Sequence, residues 1–161
     1  MGKTLHPRGF MFEETGHRIA ERAEAILRAL PNWFGIEASI LEYAEFIASH
    51  PVFFIEDEDE NLLGFIALGI HSPHAAEVHV MAVAPDAHRQ GIGRRLLDEV
   101  QRWCREQGIE YLQVKTLASS REDRYYAQTR QFYEAMGFRL LEVFPTLWDP
   151  HNPCALYVKA L

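Results

Sequence analysis

Apolar and polar positions fall into helix-like and strand-like runs along most of the chain. From Glu14 to Leu30, Ile19, Ala23, Ile26, Leu27 and Leu30 recur at the spacing of one helix face, and Pro31 stops the run. Asn32-Trp33-Phe34-Gly35 reads as a turn carrying two large aromatics. A second helix, Glu37 to Ser49, presents Ile40, Leu41, Tyr43, Ala44 and Ile47. Val52–Ile55 and Leu62–Ile70 read as strands joined by the acidic run from Glu56 to Asn61, a solvated hairpin tip that lacks the residue order of a calcium loop. His71-Ser72-Pro73-His74 ends the second of these strands, and its histidines read as exposed loop residues. Residues 1–9 carry no pattern, and Phe10 to Phe12 is a candidate short edge strand.

The second half of the chain continues the alternation. Val78 to Val83 is a half-buried strand, and Ile92, Leu96, Leu97, Val100, Trp103 and Cys104 mark a helix. Ile109 to Thr116 is a strand, Ala118 to Arg124 a polar loop, and Tyr125 to Met136 a helix closed by Gly137. Phe138 to Phe144 is a further strand, Thr146 to Pro153 a long Pro-rich excursion, and Cys154 to Lys159 the last strand. Helices, hairpins and one βα crossover in this order predict an α/β fold with a mixed sheet. At 161 residues, with no repeat or linker, one domain spanning 1–161 is expected.

One junction carries chemistry. Between the strand ending at Val83 and the helix opening at Ile92 lies a turn with Pro85 and Asp86, then Gly91-Ile92-Gly93. The first turn of a helix leaves N–H groups without intrahelical partners, and the helix dipole adds positive charge there. Glycines let that backbone approach a ligand, and Arg89, Arg94 and Arg95 surround it with cations. A phosphate or pyrophosphate suits such a site. The Walker pattern fails for want of Gly-Lys-Ser/Thr, and the dinucleotide pattern fails because its third glycine would fall at Leu96.

Composition narrows the partners. The formal charge of −7 argues against nucleic acid and mildly favours a cationic small molecule or peptide. No apolar run is long enough to span a bilayer, and the N-terminus lacks the shape of a secretory signal, so a cytoplasmic protein without membrane partners is expected. Cys104 and Cys154 lack metal-type spacing and read as reduced, buried thiols. His71, His74 and His79 have no thiolate or carboxylate completing a tetrahedral set, so no metal site is expected.

The stretch Val83-Ala84-Pro85, then His88-Arg89-Gln90-Gly91-Ile92-Gly93, then Arg94-Arg95-Leu96-Leu97 resembles the acyl-CoA loop of the GNAT superfamily of N-acetyltransferases. His88 stands where that family usually has Gln or Arg. The resemblance extends from about Glu14 to the end. It implies a GNAT-type fold, a mixed central sheet flanked by helices, with a splayed strand pair holding acyl-CoA. It also implies an enzyme that moves an acetyl group from acetyl-CoA, as cosubstrate, to a primary amine. Direct attack in a ternary complex is expected, with a small-molecule or peptide amine as acceptor; a homodimer is common in the family. The cofactor contacts so implied are Met81, Ala82, Val83, His88, Arg89, Gln90, Gly91, Ile92, Gly93 and Arg94. Tyr126 joins them where the family often has Asn. Trp33, Phe34 and Tyr43 become candidates for the acceptor pocket, against their plainer reading as core aromatics. Competing readings are a non-catalytic acyl-CoA-binding or sensing module, and a transferase of another acyl group.

A second resemblance lies in Phe132-Tyr133-Glu134-Ala135-Met136-Gly137-Phe138, which implies Tyr133 as the acid that protonates the departing coenzyme A thiolate. The acceptor poses the complementary problem. An amine of pKa ~10.4 is mostly ammonium at neutral pH, a handicap of roughly 4–5 kcal/mol that a base or a desolvating pocket reduces. Glu77 lies fourteen residues before Gly91, where some histone-acetylating relatives carry a catalytic glutamate. His79 shares its strand face. Glu77, His79 and a water-only route all stay open.

Overall fold

The computed structural model describes residues 6–9 and 13–161, with side chains from residue 16 onward. Two compact units emerge. The first comprises the described residues up to Gly69 together with His79–Trp103, and the second comprises Ile70–Val78 and Cys104–Leu161.

In the first unit, α1 (Glu13–Arg28) and α2 (Glu37–Ser49) precede β2 (Val52–Glu56) and β3 (Leu62–Ser72). Strand β1 (His6–Gly9) pairs antiparallel with β2, from His6↔Glu56 to Gly9↔Phe53. Its Pro and Gly disguise it in sequence, and its extended state comes from this pairing. The candidate strand at Phe10–Phe12 lies outside the described residues. The β2–β3 hairpin forms as expected, with Asp57 Oδ1 accepting from the backbone amides of Asp59 and Asn61 at 2.9 Å each. Its acidic tip is therefore closed by its own side chain.

The apolar face of α1 delivers Ile19, Ala23, Ile26, Leu27 and Leu30 into a core shared with Ile40 and Ile47 of α2 and with Val52, Phe54, Phe65 and Ala67 of the hairpin. Val80 and Ala82 of β4 (Ala75–Val83) complete it. The 3.6-residue period of the helix and the two-residue period of the strands thus converge on one apolar volume. Trp33, Phe34, Tyr43 and Phe46 pack against it while staying half-exposed.

In the second unit, the start of β4 pairs parallel with β5 (Tyr111–Leu117), from Ala75↔Tyr111 to Val78↔Val114. β5 pairs antiparallel with β7 (Asn152–Ala160), and β7 with β6 (Arg139–Asp149), giving a mixed arrangement in the order β4-β5-β7-β6. The expected excursion from Thr146 to Pro153 is instead the end of β6, a short turn and the start of β7. Asp149 makes that turn. Its carboxylate accepts from the His151 and Asn152 amides and from the Asn152 side chain, and these bonds hold it below the ordinary carboxylate range. The register shifts after Phe144, where Pro145 has no N–H to give the ladder. Helix α4 (Arg124–Ala135) is capped by Asp123, whose side chain accepts from the Tyr125 and Tyr126 amides at 2.9 and 3.1 Å.

Candidate active site

The loop at the start of α3 (Ile92–Glu106) takes its shape from local chemistry. After Val83 a single 3-10 turn, Pro85–Ala87, reverses the chain, and Arg89 and Gly91 both take left-handed backbone conformations at φ 62° and 75°. Glycine adopts this region without penalty, whereas an arginine there is an outlier of the kind that clusters at ligand sites. The first helical bond runs from the Arg95 amide to the Gly91 carbonyl at 3.1 Å, so the amides ahead of it have no partner within the helix. No acidic side chain occupies the first turn. Arg89, Gln90, Gly91 and Arg94 are exposed, and Gly93 is half-buried. The open helix start that the glycines predict is present in the backbone.

Two features hold this start in place. Ile92, Leu96 and Leu97 are fully buried, which anchors α3 by its first two turns. Gly64 on β3 leaves room for them, since a Cβ there would stand 3.0 Å from Ile92 Cγ2 and 3.1 Å from the Ala82 carbonyl. His88 ties the loop from outside. Its Nε2 donates to the Val83 carbonyl at 2.7 Å, and its ring meets Trp33 edge-on with centroids 6.2 Å apart. The departure from the usual Gln or Arg thus has a structural use, as a tether from the helix approach back to β4.

His79, exposed on β4, stacks on Phe46 with ring centroids 3.7 Å apart and meets Tyr43 edge-on at 5.8 Å. Phe46 carries His50 as a second stacked ring at 3.6 Å, and Tyr43 meets Phe34 at 5.9 Å. A continuous row of exposed and half-exposed rings therefore runs from the α1–α2 turn along α2 to β4. The sequence named Phe34 in its aromatic turn and Tyr43 in the helix pattern, while Phe46 and His50 escaped it.

In the second unit, Tyr133 on α4 is 5% exposed and packs edge-on against Phe132 and Phe138. Burial pushes its phenol well above the ordinary tyrosine value, so the hydroxyl keeps its proton throughout the neutral range. Tyr126 sits half-buried in the capped first turn of the same helix.

Glu77 is 5% exposed and sits among partners that the sequence did not announce. Its Oε1 lies 3.0 Å from Lys115 Nζ on β5, and its Oε2 lies 2.7 Å from His71 Nε2 on β3. His71 belongs to the strand itself, which corrects its reading as a loop residue. The parallel register Glu77↔Gln113 explains Lys115, two residues on and on the same sheet face. The loop and the ring row belong to the first unit, Tyr133 and the Glu77 cluster to the second.

Against this geometry, a family model described as the acetyltransferase (GNAT) domain matches residues 48–140. An uncharacterized N-acetyltransferase of Chlorobaculum tepidum is 27% identical over 141 residues, covering 85% of this chain and 83% of that protein. A GNAT-family acetyltransferase structure from Desulfovibrio desulfuricans superposes with a TM-score of 0.81 at 21% identity, covering 98% of this chain and 99% of the other. A GNAT-family acetyltransferase of Elizabethkingia anophelis, solved with acetyl-CoA bound, gives a TM-score of 0.66 at 18% identity, covering 98% and 97%.

The α/β architecture, the glycine loop and the family match together make this chain a member of the GNAT superfamily. It is an acyl-CoA-dependent N-acetyltransferase, and acetyl-CoA is its cosubstrate.

Proposed function

We propose that the enzyme transfers the acetyl group of acetyl-CoA to the primary amine of a small molecule or peptide by direct attack in a ternary complex. The observation that carries this reading is the start of α3: amides ahead of the first helical bond, two left-handed residues and an acid-free first turn, a cradle for the coenzyme's diphosphate. Met81, Ala82 and Val83 supply β4 backbone to the pantetheine arm, and His88 to Arg94 surround the phosphates. Tyr126 contributes from α4.

The amine attacks the thioester carbon, the carbonyl oxygen becomes an oxyanion, and a backbone N–H of the Met81–Val83 segment donates to it. As the C–S bond breaks, Tyr133 gives its proton to the thiolate. Burial keeps the hydroxyl protonated until sulfur charge develops, and the charge forming on sulfur has to draw the proton from a weakened acid. Glu77 or His79 of β4 assists removal of the acceptor's proton, directly, through a neighbouring group or through water. The ring row from Phe34 to His50 supports an acceptor that lays an apolar or cationic surface on aromatic faces. The net charge of −7 favours the cation.

Calorimetry with coenzyme A, followed by thiol release from acetyl-, propionyl- and succinyl-CoA across polyamines, amino acids, aminoglycosides and peptides, tests the reading. Heat with coenzyme A and acetyl-dependent turnover of an amine support it. A covalent acetyl-enzyme in the intact-mass spectrum would overturn direct transfer. We also propose a cytoplasmic location, supported by two free buried cysteines, and a homodimer. The exposed Leu140, Leu141, Val143, Leu147 and Trp148 of β6 offer the dimer a surface.

A further inference from the structure

The Glu77 cluster has more structure than a lone base needs. Each oxygen of its carboxylate has its own donor: Lys115 Nζ at 3.0 Å from Oε1 and His71 Nε2 at 2.7 Å from Oε2. The Glu77 side chain is 7% exposed, against 47% for His71. A carboxylate withdrawn from water to this degree needs an opposite charge, and Lys115 supplies it. An ionised carboxylate only accepts hydrogen bonds, so the imidazole nitrogen facing it carries the hydrogen. In the neutral ring the lone pair is then on Nδ1. Glu77 thereby fixes both the tautomer and the orientation of His71, as the buried carboxylate does for the imidazole in hydrolytic triads.

The geometry points to His71 as the general base of the transfer, with Glu77 as its positioning residue and Lys115 as the counter-charge. This rests on the acetyl-transfer reading above. One N–H bond of the acceptor ammonium breaks, its electron pair stays on nitrogen, and the proton goes to His71 Nδ1, directly or through one water. The imidazolium formed stays paired with the Glu77 carboxylate and returns its proton to solvent; after attack the nitrogen's second surplus proton leaves by the same route as the intermediate collapses, and solvent restores to Tyr133 the proton it gave the thiolate. Glu77 itself keeps no proton through the cycle. The ionisable groups around the pair are Lys115 from β5 and the buried Cys154 thiol from β7, which lies within the field of both Lys115 and Glu77. On the neighbouring turn His74 pairs with Glu110 at 3.0 Å.

The test uses the whole enzyme with acetyl-CoA and three probe amines, spermidine, 2-phenylethylamine and a short peptide with a free N-terminus, under the variants His71→Ala, Glu77→Gln and both together. His71→Ala is expected to lower kcat/KM by about 10²-fold or more and to flatten the acid limb of its pH profile. Added imidazole should restore part of that loss. Glu77→Gln should cost a similar factor, because the amide offers N–H to Nε2 and moves the ring hydrogen to Nδ1, and imidazole should not rescue it. The double variant should be no worse than the weaker single, since the two residues act as a unit. Coenzyme A affinity by calorimetry should stay within about twofold in all three, which separates lost chemistry from lost folding. A His71→Ala enzyme with the wild-type pH profile, losses that multiply in the double variant, or full activity in His71→Gln would overturn the assignment. Wild-type protein that acetylates no amine would overturn the proposed function instead, and this inference with it.

Discussion

Tyr133 shows how one buried hydroxyl ties stability to chemistry. Its phenol is held well above the ordinary value of ~10 because ionising it would strand a charge away from water. Below that ordinary value the folded and unfolded chains are both protonated and the group contributes fully. As pH rises past ~10 the unfolded chain ionises first, the folded chain then binds more protons, and stability falls with pH. Denaturant titrations between pH 9 and 11 should show this slope in the wild type and a smaller one in Tyr133→Phe. The same variant should lose about 10²-fold in kcat, with unchanged coenzyme A affinity. Because the folded phenol does not titrate in the working range, any alkaline limb of the rate profile should sit at the same pH in both proteins. Burial also pushes the Cys104 thiol up to about 11 and raises that of Cys154. Neither should label with iodoacetamide at pH 8 in the folded enzyme, and both should label in urea.

At the scale of elements, the start of α3 depends on a residue far from it in sequence. Gly64 on β3 lets Ile92 and Leu96 seat, and a Cβ there would press on Ile92 Cγ2, the Ala82 backbone oxygen and Leu96 Cδ1 at 3.0–3.2 Å. Backbone cannot move aside as a flexible side chain can. Gly64→Ala should therefore destabilise the protein by ~1–3 kcal/mol and weaken coenzyme A binding as the helix start shifts, measurable by denaturation and calorimetry. Strand β6 teaches the opposite lesson. Its last residues read as loop because Pro150 and Pro153 dominate the local pattern, yet Asp149↔Asn152 pairing continues the ladder to the turn. Among the described residues β6 ends the strand order, where a proline costs the sheet little.

For the whole molecule, β6 carries five of the nine large exposed apolar side chains among the described residues. A strand apolar on both faces is usual for one with neighbours on either side. Leu141→Lys should lower the solution mass toward that of one chain if β6 pairs with a second copy, with activity per chain retained. Analytical ultracentrifugation reads the outcome, and a wild type that is monomeric at all concentrations would remove the homodimer proposal. No described helix is long and apolar enough to cross a membrane.

The sequence alone determined what short-range physics controls. Helical spacing placed α1, α2, α3 and α4 to within a few residues, and the glycines and prolines between Val83 and Gly93 specified the turn and the open helix start. Such features depend on the conformational freedom of single residues and on i to i+4 neighbours, which a linear reading contains. Tertiary structure alone decided who meets Glu77. Lys115 and His71 reach its carboxylate through strand register and a hairpin, and a one-residue slip in either would turn those side chains to the other face. Sequence pattern nominates a carboxylate; only the pairing of strands tells whether it stands alone or orients an imidazole.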